Sequence, residues 1–190
     1  MVTVKHTIVA LVEDKPGVLA RVVGMFRRRG FNIASLAVGH SEVPDQSRMT
    51  FVVEGDDATL EQVVKQLNKL IEVVRVVDLP EYESVYRELA MIKVRAAPQT
   101  RGEIIQMADI FRASIVDVGP DSLIIEVTGD EDKIDSLNEL LKPFGVREMM
   151  RTGRVAMTRG LAGIKAPVTA RARGNGATHA RQEEKYESIL

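Results

Sequence analysis

Asp14, Lys15, Pro16, Gly17, Val18 and Leu19 form the stretch whose residue types and spacing best suit a ligand. An apolar run over residues 7–12 stops in a charged turn, and a helical pattern starts at once beyond it. Proline fits the first turn of a helix, because its φ is already fixed there and its missing N–H has no partner to lose. Gly17 carries no Cβ, so a ligand can approach the backbone closely. The N–H groups of Gly17, Val18 and Leu19 are expected to point out of the helix end, where the macrodipole favours an anion. Asp14, just outside, is placed to hold a cation beside that anion. A cation and an anion so close together are the two ends of a free α-amino acid. The same residues also read as an ordinary strand-to-helix turn, and only context separates the two.

Other chemistry finds little support. The sequence has no cysteine, which removes disulfides, thiolate nucleophiles and cysteine-ligated zinc together. His6, His40 and His179 share no metal-ligand spacing, so no metal site is expected. There is no G-x-S-x-G elbow, no G-x-x-x-x-G-K and no G-x-G-x-x-G. Asp56-Asp57 and Asp130-Glu131-Asp132 sit at helix starts and read as caps and dipole partners. Arg27-Arg28-Arg29 reads as a solvated helix end. No catalytic residue is assigned. At a net charge of −1 over 190 residues, nothing global argues for nucleic acid or an anionic membrane. No window reaches the length of a membrane span and no secretory layout opens the chain, so a cytoplasmic protein is expected.

The elements that must hold the turn repeat along the chain. A strand over residues 3–12 leads to a helix with Val18, Leu19, Val22, Val23 and Phe26 on one face, stopped at Gly30. Strands over 31–43 and 49–54 follow, then a helix bearing Leu60, Val63, Val64, Leu67 and Leu70, then a strand over 73–77. The order is βαββαβ, the ferredoxin-like unit. It then recurs: a strand over 88–96, a helix opened by a Thr100-x-x-Glu103 capping box, strands over 114–118 and 123–128, a helix from Asp130, and a strand over 144–150. Ile134 and Leu141 repeat Leu60 and Leu67 at one fixed offset. The fold class is α+β: two tandem βαββαβ domains over residues 1–78 and 79–160, with residues 161–190 expected to be disordered. Within that tail, Tyr186 to Leu190 reads as uninvolved rather than as a docking segment.

One edge is left open by this topology. With strand order 4-1-3-2, the second strand lies at an edge, and its Ile33, Ala34, Leu36, Ala37 and Val38 carry no lysine or proline guard. Pairing of two copies through that edge would give an eight-stranded sheet. Strands one and two run parallel, so Asn32 and the Asp14–Gly17 turn lie at opposite ends of one domain. Antiparallel pairing brings the Asn32 of one copy to the turn of the other, and a small ligand would sit between subunits.

Asp14-Lys15-Pro16-Gly17-Val18-Leu19 with Gly30-Phe31-Asn32-Ile33 resembles the D-x-P-G-x-L…G-x-N-I signature of ACT domains, which are amino-acid-sensing βαββαβ modules. Ser47-Arg48-Met49-Thr50, the Gln66-Leu67-Asn68-Lys69-Leu70 helix end, Arg87-Glu88-Leu89 and Phe111-Arg112-Ala113-Ser114 extend the likeness to the regulatory small subunits of acetolactate synthase, over both domains. The resemblance implies an ACT first domain and a non-catalytic subunit. Its partner would be a catalytic subunit using thiamine diphosphate, magnesium and FAD, with no cofactor on this chain. That subunit would be activated by the chain and inhibited through it by valine, leucine or isoleucine.

By the same resemblance, Pro16, Gly17, Val18 and Leu19 would form the carboxylate turn, with backbone donors from Gly17, Val18 and Leu19. Asp14 and Asn32 would fix polar groups, and Ile33 with Val18 would line the side-chain pocket. Many family members carry asparagine at the position of Asp14. Three other classes remain for comparison: an enzyme in its own right, an RNA-binding module of the same topology, and an ACT regulator of some other enzyme. The first lacks a titratable pair. The second lacks aromatics, with Phe51 alone on the third strand.

Overall fold

The computed structural model describes residues 4–160 and residue 164. The first half runs β1 (Val4–Glu13), α1 (Val18–Arg29), β2 (Ile33–His40), β3 (Gln46–Gly55), α2 (Asp57–Leu67) and β4 (Val73–Asp78). The second runs β5 (Ser84–Arg95), α3 (Arg101–Ile110), β6 (Ser114–Val118), β7 (Ser122–Gly129), α4 (Glu131–Leu141), β8 (Val146–Arg151) and β9 (Val155–Thr158). Sheet order is β2-β3-β1-β4 in the first half and β6-β7-β5-β8 in the second, antiparallel throughout. Both are ferredoxin-like α+β units, and β2 does lie at an edge.

Helix ends follow local chemistry. Gly30 adopts a left-handed conformation (φ 72°) and donates its N–H to the carbonyls of Arg27 and Phe26, which closes α1. Asp56 and Asp130 accept from the N–H groups of Thr59 and Lys133 at 2.8 and 2.9 Å, so these acidic residues are caps. The capping box at Thr100 does not form. Thr100 sits in a right-handed helical conformation and makes no cap bond; its hydroxyl turns back to the carbonyl of Ala97. On α1 the buried stripe is Val18, Val22, Met25 and Phe26, whereas Leu19 and Val23 lie on its flank and stay exposed.

Each half has its own core. Ile8, Ala10 and Val12 of β1 pack with Phe51, Val22, Phe26 and Leu67, and the Phe26 and Phe51 rings stack at 5.2 Å. Ile92, Ile125, Ile134 and Leu137 build the second core. A third cluster joins the halves. Val9 and Leu11, on the other face of β1, are covered by Leu79, Ala156, Tyr86 and Ile164.

The sequence reading did not anticipate β9. It continues along β5 after β8, pairing Ser84 to Arg87, and makes with them a two-stranded ribbon laid on the first sheet. Strand β5 is accordingly longer than its periodicity suggested, starting at Ser84. Ile164, beyond Gly160, is buried in that contact. The rest of the segment expected to be disordered, 161–163 and 165–190, lies outside the described residues.

Ion pairs also cross between the halves. Lys5 donates to Glu131 at 2.7 Å, and this bond first, with burial opposing it, holds the Glu131 carboxyl below its ordinary range and the Lys5 ammonium above its own. A carboxylate with a depressed folded value contributes stability above its unfolded value, and that contribution is lost as pH falls through the folded one. At neutral pH, Glu131→Gln is expected to lower stability by a few tenths to about 1 kcal/mol, as for a part-exposed pair. The gap to the wild type should close as pH falls below the ordinary carboxylate range and through the lowered folded value of Glu131. Urea unfolding across that range tests the expectation, and a gap independent of pH would refute it.

Candidate functional site

The charged turn after β1 is a type II turn. Pro16 and Gly17 occupy its central positions, Gly17 has φ 86° and ψ −8°, and the Val18 N–H donates to the Lys15 carbonyl at 3.3 Å. Pro16 and Gly17 therefore precede α1 and are not part of its first turn, contrary to the sequence reading. The left-handed Gly17 is what allows the chain to turn sharply from β1 into the helix. A Cβ there would meet nothing within 4 Å, so the face of the turn is open.

The three backbone donors expected of this turn are not equivalent. Val18 spends its N–H on the turn, and its side chain is buried in the first core, only 3% exposed. It cannot both fill that core and line a ligand pocket. Among the described residues, the loop hydrogen bonds take up neither the Gly17 nor the Leu19 N–H. These two donors, at the positive end of α1, are the ones free to meet an anion. The Leu19 side chain, 43% exposed, adds an apolar surface beside them.

Acidic and basic side chains ring the same end of the sheet. The Asp14 N–H donates to the Asp45 carbonyl at 2.8 Å, and the Asp14 carboxylate lies 3.1 Å from Nδ1 of His40. Lys15 pairs with Glu13 at 2.9 Å, and that hydrogen bond raises its ammonium above the ordinary value. Sequence reading missed His40 and Asp45. The signal that would have found them is the parallel course of β1 and β2, which puts the end of β2 beside the end of β1.

Asn32 and Ile33 lie elsewhere. Ile33 pairs with Val53, which pairs with His6, so the start of β2 is level with the start of β1. Within one chain the Asp14–Leu19 turn and the Asn32–Ile33 pair stand at opposite ends of the sheet, as the topology required. The structure thus gathers Asp14, Pro16, Gly17, Val18 and Leu19 and keeps Asn32 and Ile33 apart from them.

Crevices also lie off the turn, two of them against β2. A polar one of 370 Å³ runs between the halves, lined by Lys5, Ser35, Glu88, Glu131, Arg151 and Arg154. An apolar one of 420 Å³ lies between β2 and the β5–β9 ribbon, with Val38, Val85, Val155 and Met157 on its walls. No cluster of three or more metal-ligating side chains occurs among the described residues.

Comparison with known proteins decides the family. Residues 8–75 match the model of the AHAS small subunit-like ACT domain, and residues 87–160 match the model of the small subunit of acetolactate synthase. A probable acetolactate synthase small subunit from Archaeoglobus fulgidus is 62% identical over 156 residues, covering 82% of this chain and 98% of its own. The chain belongs to the acetolactate synthase small subunit family. The acetolactate synthase small subunit of Mycolicibacterium smegmatis is 56% identical over 164 residues, which is 86% of this chain and 96% of that protein. The crystal structure of the Thermotoga maritima small subunit superposes with a TM-score of 0.79 at 45% identity, covering 84% of this chain and 99% of that one. The chain is therefore a regulatory subunit with an ACT first domain.

The open face at Gly17 sets one expectation. Gly17→Ala meets no steric obstacle but must hold a left-handed φ, at about 1 kcal/mol. Urea unfolding should register that loss with the fold intact by circular dichroism. A loss several times larger would mean that the turn is packed rather than open.

Proposed function

We propose that the chain is the feedback sensor of an acetolactate synthase: it activates the catalytic subunit and, on binding valine or the related leucine or isoleucine, reduces that activity. The observation that carries this reading is the turn at Asp14–Leu19. Two unengaged N–H groups at the positive end of a helix suit a carboxylate, and the half-exposed Asp14 suits an ammonium. The exposed Leu19 gives a branched aliphatic side chain something to lie against.

The second half of the site comes from another copy. Strand β2 is an edge with Ala34, Val38 and Gly39 exposed. Antiparallel pairing of two β2 strands, centred on the strand, sets the Ile33 of one copy opposite the His40 of the other. The partner's Asn32 and Ile33 would then flank the turn. Ligand binding and self-association become linked, since a ligand held by both copies stabilises the assembly that holds it. Thiamine diphosphate, magnesium and FAD belong to the catalytic partner in this reading.

Calorimetry with valine, leucine and isoleucine tests the sensor claim, and at least one is expected to saturate. No heat for any of the three would refute it. Gly17→Asp is expected to abolish binding while the protein stays folded, because a carboxylate on the open face repels the ligand's own. Undiminished binding in that variant would put the site elsewhere. The regulatory claim has its own assay. Adding the chain to the catalytic subunit should raise the rate of pyruvate condensation, and valine should reverse the increase. Amino-acid binding with no effect on that rate would favour an ACT regulator of a different enzyme.

A further inference from the structure

The start of β2 carries a β-bulge. Ile33 pairs with Val53 and Ser35 with Val52, so Ala34 is an extra residue on the edge strand. A bulge bends its strand and re-aims the residues beside it, and here those residues are Asn32 and Ile33. Among the described residues, the outer side of β2 has no neighbouring strand.

A segment of the second domain meets it there. Gly153 adopts φ +82°, and a Cβ on it would come within 2.7 Å of the Ser35 hydroxyl and 3.1 Å of the Leu36 carbonyl oxygen. The next N–H, that of Arg154, donates to the Ser35 hydroxyl at 2.9 Å. This segment is itself fixed on both sides. Towards the second domain, the Thr152 N–H donates to the Leu89 carbonyl at 3.0 Å, and its hydroxyl accepts from the Leu89 N–H at 3.2 Å. Towards the first, the Arg154 guanidinium is buried, lies 4.3 Å from the centre of the Tyr86 ring, and donates to the Thr7 hydroxyl at 3.0 Å. Glu81 at 3.4 Å and Glu131 at 3.6 Å balance its charge.

We propose that Gly153 and Arg154 are positioning residues of the effector site: this link from the second domain holds the β2 bulge, and so fixes the direction in which Asn32 and Ile33 are presented to the ligand. The proposal rests on the effector site assigned above and adds to it a dependence on the second domain. Energetic coupling between two sites is reciprocal. A ligand that tightens the start of β2 therefore acts on the Thr152–Arg154 segment, which joins β8 to β9. That gives a route by which occupancy at the first domain's edge reaches the second domain.

Two measurements on the full-length protein test this. The first needs no ligand: amide hydrogen exchange of a peptide spanning β2, read against peptides from β1 and β3. In Gly153→Ala, exchange is expected to quicken in the β2 peptide, with β1 and β3 protected as in the wild type. The second is calorimetry with the branched-chain amino acid that binds best. Gly153→Ala is expected to weaken it roughly tenfold, about 1.4 kcal/mol. Ser35→Ala, which removes the acceptor, should shift both readouts in the same direction, and Ser35→Thr, which restores a hydroxyl, should recover them.

Unchanged exchange in β2 and unchanged affinity in Gly153→Ala would overturn the proposal. So would a uniform loss of protection across the first domain, which is the mark of a contact that only stabilises. If the wild type binds none of the three amino acids, the effector reading falls, while quickened exchange confined to β2 still supports the positioning of that strand by the second domain.

Discussion

Strand β1 must be covered on both faces, and the rest of the structure depends on that constraint. Ile8, Val9, Ala10, Leu11 and Val12 are all at most 1% exposed, although alternate residues point in opposite directions. One face is closed by α1 and α2 of the same domain. The helices leave the other open, and the chain closes it with a ribbon borrowed from its second half. Each fully buried aliphatic side chain contributes about 1.5–3 kcal/mol relative to exposure, so covering Val9 and Leu11 is a large term for domains of this size. The two βαββαβ units are thus neighbours in sequence that share a layer in space.

That shared layer explains residues that motif matching can only point to. Arg48 lies in the Ser47–Thr50 stretch that resembles the family. Its guanidinium donates to the Ala156 carbonyl at 2.7 Å, fastening β3 to β9, and burial lowers its pKa. Glu88, in the Arg87–Leu89 stretch, is buried and accepts from two nitrogens of Arg151, at 3.0 and 2.7 Å. Removing one partner of such a pair leaves a buried charge alone, which costs far more than the pair itself yields. Arg48 thus holds the halves of the molecule together, while Glu88 fastens β8 to β5 within the second half.

Much of this was legible in the sequence, for identifiable reasons. Apolar periods placed the four α-helices of the described residues, and the repeat of Leu60 and Leu67 by Ile134 and Leu141 gave the duplication. The edge position of β2 followed from topology alone. What escaped reading was set by tertiary contact. Val155 to Thr158 is too short to show a period and becomes a strand only because β5 offers it an edge. Thr100-x-x-Glu103 has the letters of a capping box, yet Thr100 is already in a helical conformation and its hydroxyl prefers the Ala97 carbonyl. Val18 looked like a ligand contact by its place in a motif. Its position at the head of the buried stripe of α1 gave its side chain to the core and its N–H to the turn.

The β5–β9 ribbon also bears on where this chain can be cut. A fragment ending at Asp78 would contain every strand and helix of the ACT unit, and by sequence it would look complete. It would also present the bare side of Val9, Leu11, Val74 and Val77 to water, a continuous apolar sheet face with Leu79, Tyr86 and Ala156 stripped away. Such a piece would be driven to self-associate through the wrong surface. The boundary between the repeats is a boundary of pattern, and the smallest unit that closes its own surfaces reaches at least to β9.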